Sequence, residues 1–242
     1  MPNENSKKLV INPKIFELFP DVLIGVVVLQ GVDNHGHNEE IIKMLQQGSG
    51  EVLSKINKMS VAEHPNVAPW REAYRKFGTK PSDYPSSIEN LIRRVLRGEQ
   101  LRSINKLVDI YNVISLKHLI PAGGEDTDKI KGNVSLTFAS ANESPVLLLG
   151  EKEARQPHEN EVIYKDDVGT LCRRWNWKEA ERTKLTEQTT NAFMVLEALP
   201  PIGRTELEVI LGDLESLVRA CCGGNIATTV LDRSNLETVI GE

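Results

Sequence analysis

Arg102-Ser-Ile-Asn-Lys-Leu-Val-Asp-Ile-Tyr-Asn112 is the stretch around which this chain organises itself. Ile104, Leu107, Val108, Tyr111 and Ile114 recur at helical spacing, so a helix is predicted from Ser103 to about Ser115 with one buried face. Far downstream, Asn191-Ala-Phe-Met-Val-Leu-Glu197 begins an apolar strand, Ala192–Leu199, closed by Pro200-Pro201. A carboxylate inside such a strand costs several kcal/mol unless it is paired. Glu197 is therefore either salt-bridged, to Arg102 or Arg174, or set there for function.

Working outward, Val22–Leu29 is short, β-branched and apolar, and reads as a buried strand. Asn38 caps a helix from Glu39 toward Gln47; Gly48-Ser-Gly50 interrupts it, and a second helical stretch runs from Glu51 to Lys58. Asn66 to Phe77 is a short helix closed by Gly78, followed by the rigid loop Pro81-Ser-Asp-Tyr-Pro85. Ser86-Ser-Ile-Glu89 has capping-box spacing, and behind it Ile88, Leu91, Ile92, Val95 and Leu96 form one buried face. Arg93, Arg94 and Arg97 then project from the other side, and Gly98 ends the helix. Pro121-Ala-Gly-Gly-Glu125 reads as a turn. Strands are expected at Asn133–Ala139, Pro145–Leu149, Glu161–Tyr164 and Gly169–Trp177. An amphipathic helix through Leu207 and Val218 stops at Gly223-Gly224, and Ile226–Leu231 is a last strand before a short tail.

Helices first, then strands, then a late helix returning to a strand make an α+β domain of mixed α/β layers. Its central sheet is expected to be largely antiparallel or mixed, with helices packed on it. Residues 1–65 are read as an N-terminal strand and helical segment packed on a main domain of 66–242.

The chain has 242 residues, 40% hydrophobic and 26% charged, an ordinary globular balance. No apolar run approaches the roughly 20 residues that a membrane helix needs, and Met1–Lys8 lacks the apolar core of a signal peptide, so a cytoplasmic protein is expected. Cys172, Cys221 and Cys222 offer neither a disulfide framework nor a zinc pattern. His35 and His37 flank Gly36 in a turn. Glu125, Asp126 and Asp128 sit where acidic residues are common, and no metal or other cofactor is expected. Glycine fingerprints for nucleotides, a Gly-x-Ser-x-Gly elbow and a Cys–His pairing signal are absent.

Net charge is −5, which argues against indiscriminate nucleic-acid binding and gives no expectation of DNA. Charge is nevertheless uneven. Between Arg71 and Arg102 eight basic residues face four acidic ones, and Arg173, Arg174, Lys178, Arg182 and Lys184 form a second cluster. Such clusters suit selective contact with a polyanion, or plain solvated surface. Alternation along Arg173-Arg174-Trp175-Asn176-Trp177 would put Arg173, Trp175 and Trp177 on one strand face, where a base could stack on a tryptophan beside an arginine, or where the tryptophans are simply core.

The spaced motifs Arg102-x-Ile-Asn105, Val108-Asp109-Ile-x-Asn112, Asp128-Lys-Ile-x-Gly132, Thr189-x-Asn191 and Glu197 resemble those of the tRNA-editing domain of the phenylalanyl-tRNA synthetase beta subunit, over roughly Arg71 to Arg233. The resemblance implies a free-standing, tRNA-binding relative that hydrolyses mischarged aminoacyl-tRNA in trans. Arg102, Asn112, Gly123, Gly124, Thr189 and Glu197 would form the pocket. Arg71, Arg93, Arg94, Arg173, Arg174, Trp175 and Trp177 would hold the tRNA acceptor end. An ester is already activated, so positioning a water and binding the oxyanion suffice without a covalent nucleophile. Where the family carries a functional histidine just before the Asp128 motif, this chain has Gly123-Gly124, which is expected to widen the pocket or to offer N–H donors.

Duller readings stand beside these. Asp109 and Asn112 lie one helical turn apart, where such residues often bond local backbone, and Thr189 could merely begin a strand. The alternative to a deacylase is a non-catalytic tRNA- or protein-binding module of the same fold. A third class is a hydrolase for a small amino-acid-derived compound.

Overall fold

A computed structural model describes residues 6–56 and 60–241. In chain order its elements are β1 (Lys7–Ile11), α1 (Pro13–Leu18), β2 (Leu23–Gln30), α2 (Glu39–Ile56), α3 (Ala68–Lys76), α4 (Ser87–Leu96) and α5 (Lys106–His118). There follow β3 (Ala122–Asp126), β4 (Val134–Phe138), β5 (Val162–Lys165), β6 (Thr170–Arg173), β7 (Lys178–Glu179), β8 (Ala192–Ala198), α6 (Arg204–Cys221), β9 (Asn225–Leu231) and β10 (Glu237–Gly241). The fold is a mixed α+β domain, as the order of elements predicts.

Two sheets form. One runs β3-β8-β2-β9 and is antiparallel throughout; the other runs β10-β1-β4-β5-β6-β7 and is antiparallel except for β1 against β4. β2 and β1, from the first thirty or so residues, lie inside these two sheets. Alternation along the strands of the smaller sheet divides the molecule. Val27 and Leu29 of β2, with Ala192, Met194, Leu196 and Ala198 of β8, pack against α2, α4, α5 and α6. Ile24 and Val26, with Phe193 and Val195, face the larger sheet together with α1 and α3. The order is helices, sheet, sheet, with apolar cores on both faces of β2 and β8.

Half of the capping box is built: Ser86 Oγ accepts from the Glu89 amide, but the Glu89 carboxylate turns to Arg71 and Arg93 and not back to the Ser86 amide. α5 begins at Lys106, three residues later than its periodicity suggests. Asn105 Oδ1 accepts from the Val108 amide at 3.0 Å and makes a stronger start than Ser103 could. α6 ends before Gly223 and Gly224, both at positive φ.

Five expectations are corrected. Gly48-Ser-Gly50 does not interrupt α2; Leu45, Val52 and Ile56 anchor the helix through it, and Ser49 Oγ donates to the Leu45 carbonyl. (Asn57 and Lys58, the end of the helical stretch expected there, and Met1–Ser6's first five residues lie outside the described residues.) Residues 122–126 are not a turn but strand β3, because β8 offers a full ladder, from Ala122–Leu196 to Asp126–Ala192. The expected strand to Trp177 stops at Arg173. Arg174 and Trp175 turn left-handed, at φ 48° and 65°, so Arg173, Trp175 and Trp177 share no strand face. Residues 145–149 form only isolated bridges, Val146 with Arg155 and Leu148 with Ala180. The tail contains β10, which pairs with β1, a strand that short local signals did not reveal.

Candidate functional site

α4, α5, β3, the inward residues of β8 and the turn between β6 and β7 enclose a cleft of about 350 Å³. That is the scale of a small-molecule site. Leu91, Val108, Leu149, Phe193 and Val195 give it apolar walls, and Tyr111, Asn112, Gly123, Gly124 and Trp177 also line it.

Strand alternation puts Glu197 on the same face of β8 as Phe193 and Val195, and all three line the cleft. It is 1% exposed, and its carboxyl makes no ion pair with Arg102 or Arg174. The Tyr164 hydroxyl donates to Oε1 and Asn176 Nδ2 to Oε2, each at 2.6 Å. The Trp175 indole N–H lies close enough to favour the charged form yet makes no hydrogen bond of ordinary geometry. Asn176 is itself held, its Oδ1 accepting from Tyr74 at 2.8 Å. Burial outweighs these donors and pushes Glu197 up to about 7. The result is a carboxyl poised between its two protonation states, fixed by a Tyr74–Asn176 chain and by Tyr164.

Two further carboxyls enter the same cleft from β3 and β7. Glu125 is 5% exposed, and its Oε2 has no partner among the described residues. Burial, and then repulsion from Glu179, pushes it well above the usual carboxylate range. Burial pushes Glu179 up to about 7, against the Gly124 N–H, which donates to its Oε1 at 3.4 Å. Local sequence signals mark neither: Glu125 reads as an acid of a turn, and no motif sets Glu179 apart. Only the pairing of β3 with β8 and the fold-back of β7 bring them together.

The Gly123-Gly124 pair takes its meaning from this arrangement. A Cβ on Gly123 would lie 2.8 Å from Glu179 Oε1, so the space of a side chain is already filled by a carboxylate. Gly123→Ala is expected to push Glu179 aside at a cost of about 1 kcal/mol, and Gly123→His to displace it from the cleft. Thermal unfolding of the two variants checks this; an unchanged Tm and an unchanged Glu179 titration for Gly123→His would sink it.

The structure brings Asn112, Gly123, Gly124, Glu197, Arg94, Trp175 and Trp177 to one cleft and leaves the others elsewhere. Arg102 is exposed on the approach to α5. Thr189 is buried outside the cleft, donating to Asp126 Oδ2 at 2.6 Å and accepting from the Thr186 amide. Asp109 accepts from the Ile104 amide at 2.9 Å and from Ser103, the local backbone role its spacing allows. Trp175 is fully buried, edge-on to Trp70 and Phe19, and serves as core.

The arginines are mostly engaged. Arg71 and Arg93 both pair with the buried Glu89, at 2.6 and 2.5 Å. Arg173 grips Glu161 with two bonds of 2.8 Å. Arg174 stacks on Tyr84 and Trp177 and stands 3.9 Å from Glu161. Arg94 bonds Glu99 at 3.0 Å.

The model of the B3/4 domain family matches residues 69–212, from α3 into α6. A crystal structure of an N-terminal fragment of the phenylalanyl-tRNA synthetase beta-subunit from Pyrococcus horikoshii is similar at 14% identity, with a TM-score of 0.46. The similarity covers 93% of this chain and 53% of that one, so the chain spans about half the length of that structure. No curated protein matches. No described helix is long and apolar enough to cross a membrane.

Proposed function

We propose that this chain, which belongs to the B3/4 domain family found in phenylalanyl-tRNA synthetase beta subunits, is an ester hydrolase that removes the amino acid from mischarged tRNA in trans. The observation that carries this reading is the Glu197 carboxyl, fixed by Tyr164 and Asn176 at the wall of a cleft that also contains Asn112 and the Gly123-Gly124 backbone. A polar group held rigid in an apolar pocket discriminates between side chains that can and cannot meet it. Glu197 would read the polar end of the amino acid, and the tRNA acceptor end would approach past Arg94 and the exposed Arg102.

Deacylation of a panel of mischarged tRNAs tests this. The protein is expected to accelerate hydrolysis of at least one member, and Glu197→Ala to lose roughly tenfold to a hundredfold, the worth of a lost buried hydrogen bond. Spontaneous rates across the panel would rule the reading out. A second reading, a binding module without catalysis, draws support from Gly123-Gly124, which stand where the family carries a functional histidine. Steeply salt-dependent tRNA binding with no deacylation would favour it.

A further inference from the structure

Glu125 and Glu179 present an unusual balance of charge. Both line the cleft, and neither forms an ion pair among the described residues. The cations that surround them are engaged elsewhere. Lys178, beside Glu179 in the chain and in the cleft wall, bonds Glu151 at 2.5 Å. Arg182, which favours the charged form of Glu125, bonds Asp166 at 2.7 Å. Arg94 bonds Glu99. The Thr183 hydroxyl, near Glu125, makes no hydrogen bond of ordinary geometry. Glu125 thus lines the cleft and carries a buried oxygen, Oε2, with no hydrogen-bond partner among the described residues. Buried polar atoms without partners are rare, and one at the wall of a ligand-sized cleft marks a contact that a ligand completes.

The rest of the wall defines what that ligand looks like. Leu91, Val108, Leu149, Phe193 and Val195 accept an apolar body. A group that satisfies two adjacent carboxyls has to donate several hydrogen bonds and relieves their repulsion best if it is positive. A primary ammonium does both. We propose that Glu125 and Glu179 form the α-ammonium site of the cleft, which takes an aminoacyl group by its free amine at β3 and β7 with its side chain directed along the apolar wall toward Glu197. The identification of the ligand as aminoacyl rests on the function proposed above; the ammonium site itself rests on the two carboxyls.

Gly123 belongs to the same device. Any side chain there would meet the Glu179 carboxylate, so the glycine keeps the space in which that carboxylate stands.

The probes are the amides of L-tyrosine, L-phenylalanine and L-leucine, each compared with its N-acetyl derivative, titrated calorimetrically at about pH 7, where the free amines are mostly charged. Acetylation removes the charge and two of the donors and leaves the side chain. At least one free amide is expected to bind on the order of tenfold tighter than its N-acetyl form, the worth of one charge-assisted contact. The preference is expected to vanish in Glu125→Gln, Glu179→Gln and the double variant, whose Tm should hold or rise because mutual repulsion is removed. Equal binding of the two forms, absence of binding by every free amide, or a preference that survives the double substitution would each overturn the proposal. Parallel assays with aminoacyl-tRNA and N-acetyl-aminoacyl-tRNA separate the two readings. Discrimination among amides without any deacylation keeps the ammonium site and removes the hydrolase; equal deacylation of both tRNA forms keeps the hydrolase and removes the ammonium site.

Discussion

Arg173→Ala is expected to destabilise the protein by about 3 kcal/mol, the usual cost of orphaning one member of a buried ion pair. Arg173 is 3% exposed and Glu161 1% exposed, and the guanidinium meets the carboxylate through two bonds of 2.8 Å. Without Arg173, Glu161 retains Arg174 at 3.9 Å and the His158 amide at 3.1 Å, which keeps the loss at the lower end of the range for such deletions. In a chain of this length about 3 kcal/mol lowers Tm by roughly 6–12 °C. Replacing both partners by hydrophobic residues, Arg173→Met with Glu161→Leu, is expected to recover part of that loss, because no carboxylate is then orphaned and only Arg174, which keeps its stacking on Tyr84 and Trp177, loses its partner at 3.9 Å. A single substitution that shifts Tm by less than about 2 °C would show that the pair is not buried as described. The same result bears on function, since an arginine that the fold requires in this way has no charge to spare for a phosphate.

Glu197→Gln is expected to change how stability varies with pH. The sign follows from the direction of the shift. In the unfolded chain a glutamate titrates near its ordinary value of 4.5, whereas burial raises Glu197 in the folded chain to about 7. The folded state therefore holds a proton that the unfolded state releases, and this favours folding fully below about 4.5. The advantage declines as pH rises from there to about 7 and is gone above it. Across that window the contribution changes by on the order of 3 kcal/mol. Glutamine mimics the protonated form: its Oε1 can accept from Asn176 and its Nε2 can donate to the Tyr164 oxygen. Chemical denaturation of the two proteins at pH 5 and pH 8 measures the difference. Wild type and Glu197→Gln should be similar at pH 5, and the variant should be the more stable at pH 8 by a margin of that order. Parallel pH dependences would mean that Glu197 stays ionised in the fold, and would remove the poised carboxyl from the site.

The elements that local signals specify were legible. Period-three-to-four apolar spacing gave α4, α5 and α6, and the Ser86 cap is built as its spacing implies. β2 followed from an apolar β-branched run and β8 from an apolar run closed by Pro200-Pro201. Alternation along β8 also contains the placement of Glu197, since Phe193, Val195 and Glu197 share a parity. Elements decided by partners were not legible. Ala122-Gly-Gly-Glu-Asp126 has the composition of a turn and becomes a strand because β8 pairs with it. β1 and β10 are short and rely on one another across the whole length of the chain. The break after Arg173 needs two residues in a left-handed conformation, a local cost that the burial of Trp175 among Phe19, Trp70 and Phe77 offsets.

By itself the sequence determined the layered α+β class, the helices that wall one side of the cleft, and a glutamate on an apolar strand that shares its parity with Phe193 and Val195. Periodicity encodes such things because each depends on residues a few positions apart. Only the tertiary structure decided what meets Glu197, which arginines are consumed by Glu89 and Glu161, and that Glu125 and Glu179 line one cleft with Glu179 against Gly123. Those arrangements join residues tens of positions apart, and burial and pairing energies, which no local pattern carries, select them.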